Sequence, residues 1–198
     1  MDPDLRSGSP VAPGAGCVLV AGFGAFLEVQ DNPAARLARA VHDPQGEPPV
    51  VGVEMSVSYA RGPAEILALA AQLHPRMVLG LGVARGRTEA TLERFACRGL
   101  DPSLADVDQV FRSLCDPDPD APERVQATLP LDRMAAAMGC TLSEDAGRYV
   151  CNAWLYTIGR ALGSVLPVGF LHLPPQGMSA DRLRAGIHAA LAPRPAAR

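Results

Sequence analysis

The sequence predicts a single α/β domain: a three-layer α/β/α sandwich around a largely parallel or mixed, twisted sheet. Three observations lead there. Apolar runs of strand length alternate with segments of helical periodicity, and several of the runs are apolar throughout, as strands covered on both faces are. Aromatic residues make up only 5% of the chain while Ala, Gly and Pro are plentiful, a composition that suits helices packed closely on a sheet. At 198 residues, 48% of them hydrophobic, the chain is long enough for one well-filled core.

Residues 1 to 16, MDPDLRSGSPVAPGAG, carry no periodicity and are rich in Pro, Gly and Ser, so a flexible tail is expected before a domain spanning 17 to 198. From Cys17, CVLVAGF is a continuous apolar run of strand length. Asp31-Asn32-Pro33 then offers a cap and a first-turn proline for a helix reaching Val41. Pro49 to Tyr59 alternates through Val51, Val53, Met55 and Val57 as a half-buried strand does, and Pro63 to Leu73 sets Ile66, Leu67, Ala70 and Leu73 on one helical face. Met77 to Leu81 is another short buried strand, and Thr91 to Cys97 a further strand candidate. The polar, proline-punctuated stretch from Arg98 to Glu123 predicts a long exposed excursion, with re-entry at Val125 to Leu129. A short helix is expected over Leu131 to Met138, and a longer one over Val150 to Leu162 with Ala153, Trp154, Ile158 and Leu162 in register. A strand follows over Val165 to Leu173, and Ser179 caps a last helix carrying Leu183, Ile187, Ala190 and Leu191.

Charge narrows the function classes. The net charge is −3, and the 18 Lys and Arg residues are scattered without a basic stripe or interleaved aromatics, so nucleic acid is not expected as a partner. No run approaches membrane-helix length, and the start lacks the basic and apolar segments of a secretion signal. Five widely spaced cysteines form no CxxC pair and no zinc-ligand pattern with His, so free thiols in a reducing cytoplasm are expected. The Asp residues of DPDPDAPE do not follow calcium-loop spacing and read as a solvated loop; no metal or cofactor is expected. Two glycine clusters, GFGAFLE at 22 to 28 and GLGVARG at 80 to 86, follow strands, yet both lack the third glycine of a dinucleotide fingerprint and read as tight strand-to-loop turns.

In such sheets, sites form where strands run into loops and helices. Cys151 stands where a polar turn meets a helical pattern, a setting in which the helix N-terminus favours thiolate; taken alone, a small buried hydrophobe is the alternative. Cys17, Cys97 and Cys140 lie in strand-like runs and Cys115 in the excursion. His172 ends the strand VGFLHLPP, where an imidazole projects from the sheet edge as a base could, whereas His42 and His74 at helix ends and His188 within the last helix read as structural. Glu93 is acidic amid apolar neighbours and needs a partner: an imidazole, or an arginine such as Arg87 or Arg94.

These strings resemble the pyroglutamyl peptidase I family of cysteine peptidases over most of the domain. Gly22-Phe23, Phe26 and Asn32-Pro33 resemble its opening strand and helix start; Gly82, Gly86-Arg87, Thr91, Glu93-Arg94 and Ala96 resemble the segment with its glutamate. Tyr149-Val150-Cys151-Asn152 with Tyr156 resembles its cysteine signature, and Gly169-Phe170-Leu171-His172-Leu173-Pro174 its histidine strand. The resemblance implies a cysteine-type omega peptidase with Cys151 as nucleophile, His172 as base and Glu93 orienting the base. Phe23, Phe26, Tyr149 and Val150 would form an apolar slot for a lactam ring, and backbone N–H groups at Cys151 and near Arg87 would meet the oxyanion. The implied partner is a small peptide with a blocked N-terminus; a homo-oligomer is compatible with the chain. Three features depart from the family pattern: Leu27-Glu28 after Phe26, Arg85 in place of a small residue, and FACRGLDPSLADVDQV after Arg94. They point to a shifted specificity, and a catalytically silent ligand- or partner-binding relative is the alternative reading.

Overall fold

The structure, a computed structural model, describes residues 16–26 and 30–193, so the expected tail, except for Gly16, and the residues Leu27 and Glu28 lie outside the described residues. In chain order the elements are β1 (Val18–Phe23), α1 (Pro33–Val41), β2 (Val50–Met55), α2 (Arg61–Leu73), β3 (Met77–Val83), β4 (Thr91–Glu93), β5 (Phe95–Cys97), β6 (Arg124–Gln126), α3 (Leu131–Met138), β7 (Thr141–Ser143), α4 (Val150–Leu162), β8 (Val168–Leu173) and α5 (Ala180–Leu191). The starts of α1 and α5 follow from their caps: Asn32 and Ser179 each accept a backbone N–H from the first turn, and Pro33 opens α1.

Six strands form one mixed sheet in the order β2-β1-β3-β8-β4-β7, parallel throughout except for the antiparallel pair of β4 and β8. Every residue of β1 and β8 is buried, which explains their unbroken apolar runs. Two glycines fix the layers. A Cβ on Gly22 would strike the Ala34 backbone of α1, whereas one on Gly82 would strike Cys151 and Phe170. Gly22 pairs with Leu81, so Gly82 faces the opposite side of the sheet. Helix α1 and its neighbours α3 and α5 therefore cover one face, and α2 and α4 the other. That is the expected three-layer domain.

Two departures from the sequence expectation shape the surroundings of the site. The Thr91 to Cys97 run is two strands: β4 joins the main sheet, and β5 pairs with β6 in a separate ribbon. Arg94 is the crossing point, its N–H donating to the carbonyl of Ser143 at the end of β7 while its carbonyl accepts from Ala127 beyond β6. Its guanidinium meets Asp132 and Glu144 at the surface. The excursion, expected to be exposed, is pinned to the domain in its middle. Asp106 is only 2% exposed, and its carboxylate accepts the N–H groups of Tyr59, Asp108 and Val110. The Tyr59 hydroxyl donates to the Leu104 carbonyl and Val107 N–H to that of Val57. Elsewhere in the excursion Asp101, Asp116 and Asp118 each accept an N–H two residues on. Among the described residues no helix is long and apolar enough to cross a membrane, and no cluster of three metal-ligating side chains occurs.

Candidate active site

Cys151 is the second residue of α4, whose start is capped by no side chain, so the first N–H groups of the helix open at the sulfur. The sheet places the sulfur's neighbours. A Cβ on Gly82 would lie 2.8 Å from Cys151 Sγ, so the thiol rests directly over this β3 glycine. Gly82 pairs in register with His172 on β8, and parallel neighbours in register face the same way about 4.8 Å apart. The imidazole and the thiol thus share the α4 face, one strand apart. Phe170, two residues before His172, packs edge-on against the imidazole at 5.0 Å and against Trp154 of α4 at 5.6 Å, fixing the ring.

On the far side of His172 the antiparallel pairing sets Thr91 opposite it and brings Glu93, two residues along β4, onto the same face. Glu93 is 0% exposed, and its Oε1 lies 2.7 Å from His172 Nδ1. In the tautomer that donates the Nδ1 proton to the carboxylate, Nε2 is available as an acceptor. The guanidinium of Arg87 also donates to Glu93 Oε1, to Thr91 Oγ1 and to the Asp145 carbonyl. Imidazole and arginine are therefore both partners of Glu93, where the sequence left one or the other. Arg94 has its partners elsewhere.

These contacts decide the charges. Burial opposes ionisation of Glu93, but the hydrogen bonds and charge of His172, with Ser143 and Arg87, outweigh it and hold the carboxyl below its ordinary value. For Cys151 burial wins: it pushes the thiol up to about 12, Glu93 adds to the rise, and Arg87 and the residue's own backbone N–H only partly offset it. The start of the helix favours thiolate, as the sequence suggested, but desolvation is the larger effect and raises the thiol above its ordinary value.

A cavity of about 540 Å³ opens at the thiol, lined by Phe23, Phe26, Tyr149 and Val150 together with Cys151. Phe26 stacks at 5.4 Å on Tyr149, which meets Tyr59 edge-on at 5.8 Å. The excursion forms the outer wall with Leu104 and Phe111, and the Tyr149 hydroxyl donates to the Ala105 carbonyl. Arg85 also lines the cavity. The sequence reading missed this wall, although the apolar residues Leu104, Val107, Val110 and Phe111 inside a polar stretch were its visible signal. In the loop near Arg87, the Arg87 N–H itself closes a turn on the Ala84 carbonyl. Gly80 and Gly82 lie within β3 and not in the expected strand-to-loop turn; the space above them is filled by Trp154, Phe170 and Cys151, which leaves no phosphate cradle there. The other four cysteines are free and lie outside the cavity lining. His42 and His74 end α1 and α2, and His188 sits in the last turn of α5.

The model of the pyroglutamyl peptidase family matches residues 17–186. The chain belongs to the pyroglutamyl peptidase family. A pyrrolidone-carboxylate peptidase of Deinococcus radiodurans is 34% identical over 173 residues, covering 79% of this chain and 77% of the relative. One from Pseudomonas fluorescens is 27% identical over 198 residues, covering 88% and 90%. Among solved structures, pyrrolidone carboxyl peptidase from Thermococcus litoralis superimposes with a TM-score of 0.78 at 25% identity, covering 89% of this chain and 93% of that one. The family membership agrees with the mixed, doubly covered sheet, and the match spans 90% of the Pseudomonas fluorescens relative and 93% of the Thermococcus litoralis chain.

Proposed function

We propose that the protein removes an N-terminal pyroglutamyl group from small peptides, with Cys151, His172 and Glu93 as its catalytic residues. The observation that carries the reading is the 2.7 Å contact of Glu93 Oε1 with His172 Nδ1, behind an imidazole whose in-register neighbour Gly82 lies beneath the Cys151 sulfur. His172 Nε2 takes the thiol proton as sulfur attacks the lactam-bearing carbonyl. The oxyanion that forms meets the free N–H groups at the start of α4. The C–N bond then breaks, the imidazolium gives its proton to the departing amine, and a thioester remains. His172 next deprotonates water, which attacks the thioester and releases pyroglutamate with the thiol restored. Glu93 keeps the imidazole in the required tautomer and stabilises its charged form, as the orienting carboxylate of a triad does. No step calls on a metal or cofactor.

Phe23, Phe26, Tyr149 and Val150 form the slot for the flat ring, which shares its cavity with the sulfur. The five free thiols fit a reducing cytoplasm. Neither nucleic acid nor membrane belongs to this reading, and a homo-oligomer is compatible with it. The test is release of a fluorescent amine from its pyroglutamyl amide: turnover by the unmodified protein, lost in Cys151→Ser, is the expected result, and an inert unmodified protein overturns the activity. Arg85 and the rewritten sequence after Cys97 favour a second reading, a catalytically silent relative that binds a ligand or partner. Turnover of the pyroglutamyl amide separates the two.

A further inference from the structure

Arg85 is the feature of the cavity that lactam recognition leaves unused. The rest of the lining is mostly apolar, and most of its other polar side chains have partners; Gln109, a neutral amide, has none among the described residues. Asp106 is saturated by three backbone N–H groups, the Asn32 side chain bonds the Gly24 carbonyl and Ala34 N–H, and the Ser103 hydroxyl donates to Asp101. Among the described residues no carboxylate lies in ion-pair range of the Arg85 guanidinium, and no hydrogen bond occupies it. Its place follows from the backbone: Arg85 is the first central residue of the turn that Arg87 N–H closes on Ala84, three residues past the Gly82 that underlies the sulfur. Its Cα is thus within about 10 Å of Gly82, and an arginine side chain spans much of that distance. A lactam ring carries no charge, so this cation has no role toward the acyl group.

Resting on the proposed activity, we infer that Arg85 is a specificity residue that pairs with the α-carboxylate of the amino acid released, so that the preferred substrates are pyroglutamyl dipeptides with a free C-terminus. That carboxylate lies one residue past the scissile carbonyl, within the reach of a guanidinium standing at the mouth of the same cavity. Arginine presents two parallel N–H donors to a carboxylate, and docking of the peptide over the cavity shields the pair from water.

The experiment measures binding to Cys151→Ser protein by calorimetry, so that the result does not depend on turnover. The ligands are pyroglutamyl-alanine, its C-terminal amide, and N-succinyl-alanine amide, which carries its carboxylate on the acyl side. The free acid should bind about five- to tenfold tighter than its amide at low salt, with the gap narrowing as ionic strength rises. A second substitution, Arg85→Ala, should bring acid and amide to equal affinity while Arg85→Lys retains only part of the preference. Equal affinities with Arg85 present overturn the proposal, as does an acid preference that survives Arg85→Ala. Preferred binding of the succinyl compound overturns the assignment to the leaving side. If no ligand binds, the proposal also fails, and turnover of the fluorescent pyroglutamyl amide by the unmodified enzyme shows separately whether the lactam reading fails with it.

Discussion

The Cys151 sulfur rests on Gly82 so closely that a single methyl group there would come within 2.8 Å of it, and the same glycine is the in-register neighbour of His172. Backbone and sulfur are therefore in direct contact, with no side chain to absorb a change. Gly82→Ala must move the sulfur or the Phe170 ring that shares the space. A displacement of about 1 Å at a reacting atom costs on the order of 100-fold in rate. We expect kcat/KM on a pyroglutamyl amide to fall by about that factor, while thermal unfolding shows a protein that still folds. Full activity in the Gly82→Ala enzyme would mean that the thiol does not need this position.

Glu93 holds His172 from behind, and Glu93→Gln keeps the shape while removing the charge. The amide can present either an oxygen or an NH₂ to Nδ1, so the imidazole loses its fixed tautomer. The expected fall in kcat is on the order of 10² to 10⁴, with KM little changed. Steady-state kinetics check this. Loss of KM alone would assign Glu93 a binding role.

Arg87 bears on stability. It donates to a carboxylate that is fully buried, and its own side chain is 25% exposed. Arg87→Met removes the guanidinium donor and leaves Glu93 with the imidazole and neighbouring hydroxyls, and should destabilise the fold by about 1–3 kcal/mol, measured by urea unfolding.

The ionisations give two pH windows. Glu93 is held below its ordinary value, so its charge stabilises the fold above the unfolded carboxyl value of about 4.3, and that stability is lost as pH falls through the lower folded value. Cys151 is shifted the other way. The folded protein keeps its proton up to about 12 while the unfolded chain releases it near the ordinary thiol value of about 8.5, so stability is full below that value and declines between the two. Unfolding of wild type and Cys151→Ser compared from about pH 8 to 11 should show a steeper alkaline loss in the wild type. Alkylation of Cys151 by iodoacetamide should likewise rise with pH, without a plateau near neutrality. A labelling plateau at about pH 6 would show a resting thiolate.

The excursion wall depends on Asp106, whose carboxylate gathers three backbone N–H groups from two segments. Asp106→Ala leaves those donors unsatisfied and should loosen the Leu104 to Phe111 wall of the cavity. The expected signs are a KM raised several-fold with a smaller change in kcat, and faster proteolysis within this stretch. An unchanged KM would mean that the wall does not touch substrate.

The helices were legible because their signals are local: Asn32-Pro33 at one start, Ser179 at another, and the apolar spacing of Ile66 and Ala70 or of Trp154 and Ile158. The buried strands β1, β3 and β8 announced themselves as unbroken apolar runs. What was not legible is set by partners far away in the chain. The split at Arg94 depends on Ser143 and Ala127, and nothing within Thr91 to Cys97 marks it. Strand β7 is three partly exposed residues that exist by pairing with β4. For the site, Cys151, His172 and Glu93 could be named from their settings and from family resemblance. The double engagement of Glu93 could not, since a sequence poses Arg87 and His172 as rivals and only register brings both to one oxygen. Asp106 looks like any loop aspartate until the fold buries it.

Everything proposed for the site turns on Cys151 carrying the acyl group through the reaction. Acid-quenching the enzyme during turnover of a pyroglutamyl amide and digesting it for mass spectrometry tests this directly. One pyroglutamyl group should appear on the peptide that contains Cys151, in amounts that disappear in Cys151→Ser together with amine release. Turnover that continues in Cys151→Ser, or an acyl group found on any other residue, would rule out Cys151 as the nucleophile.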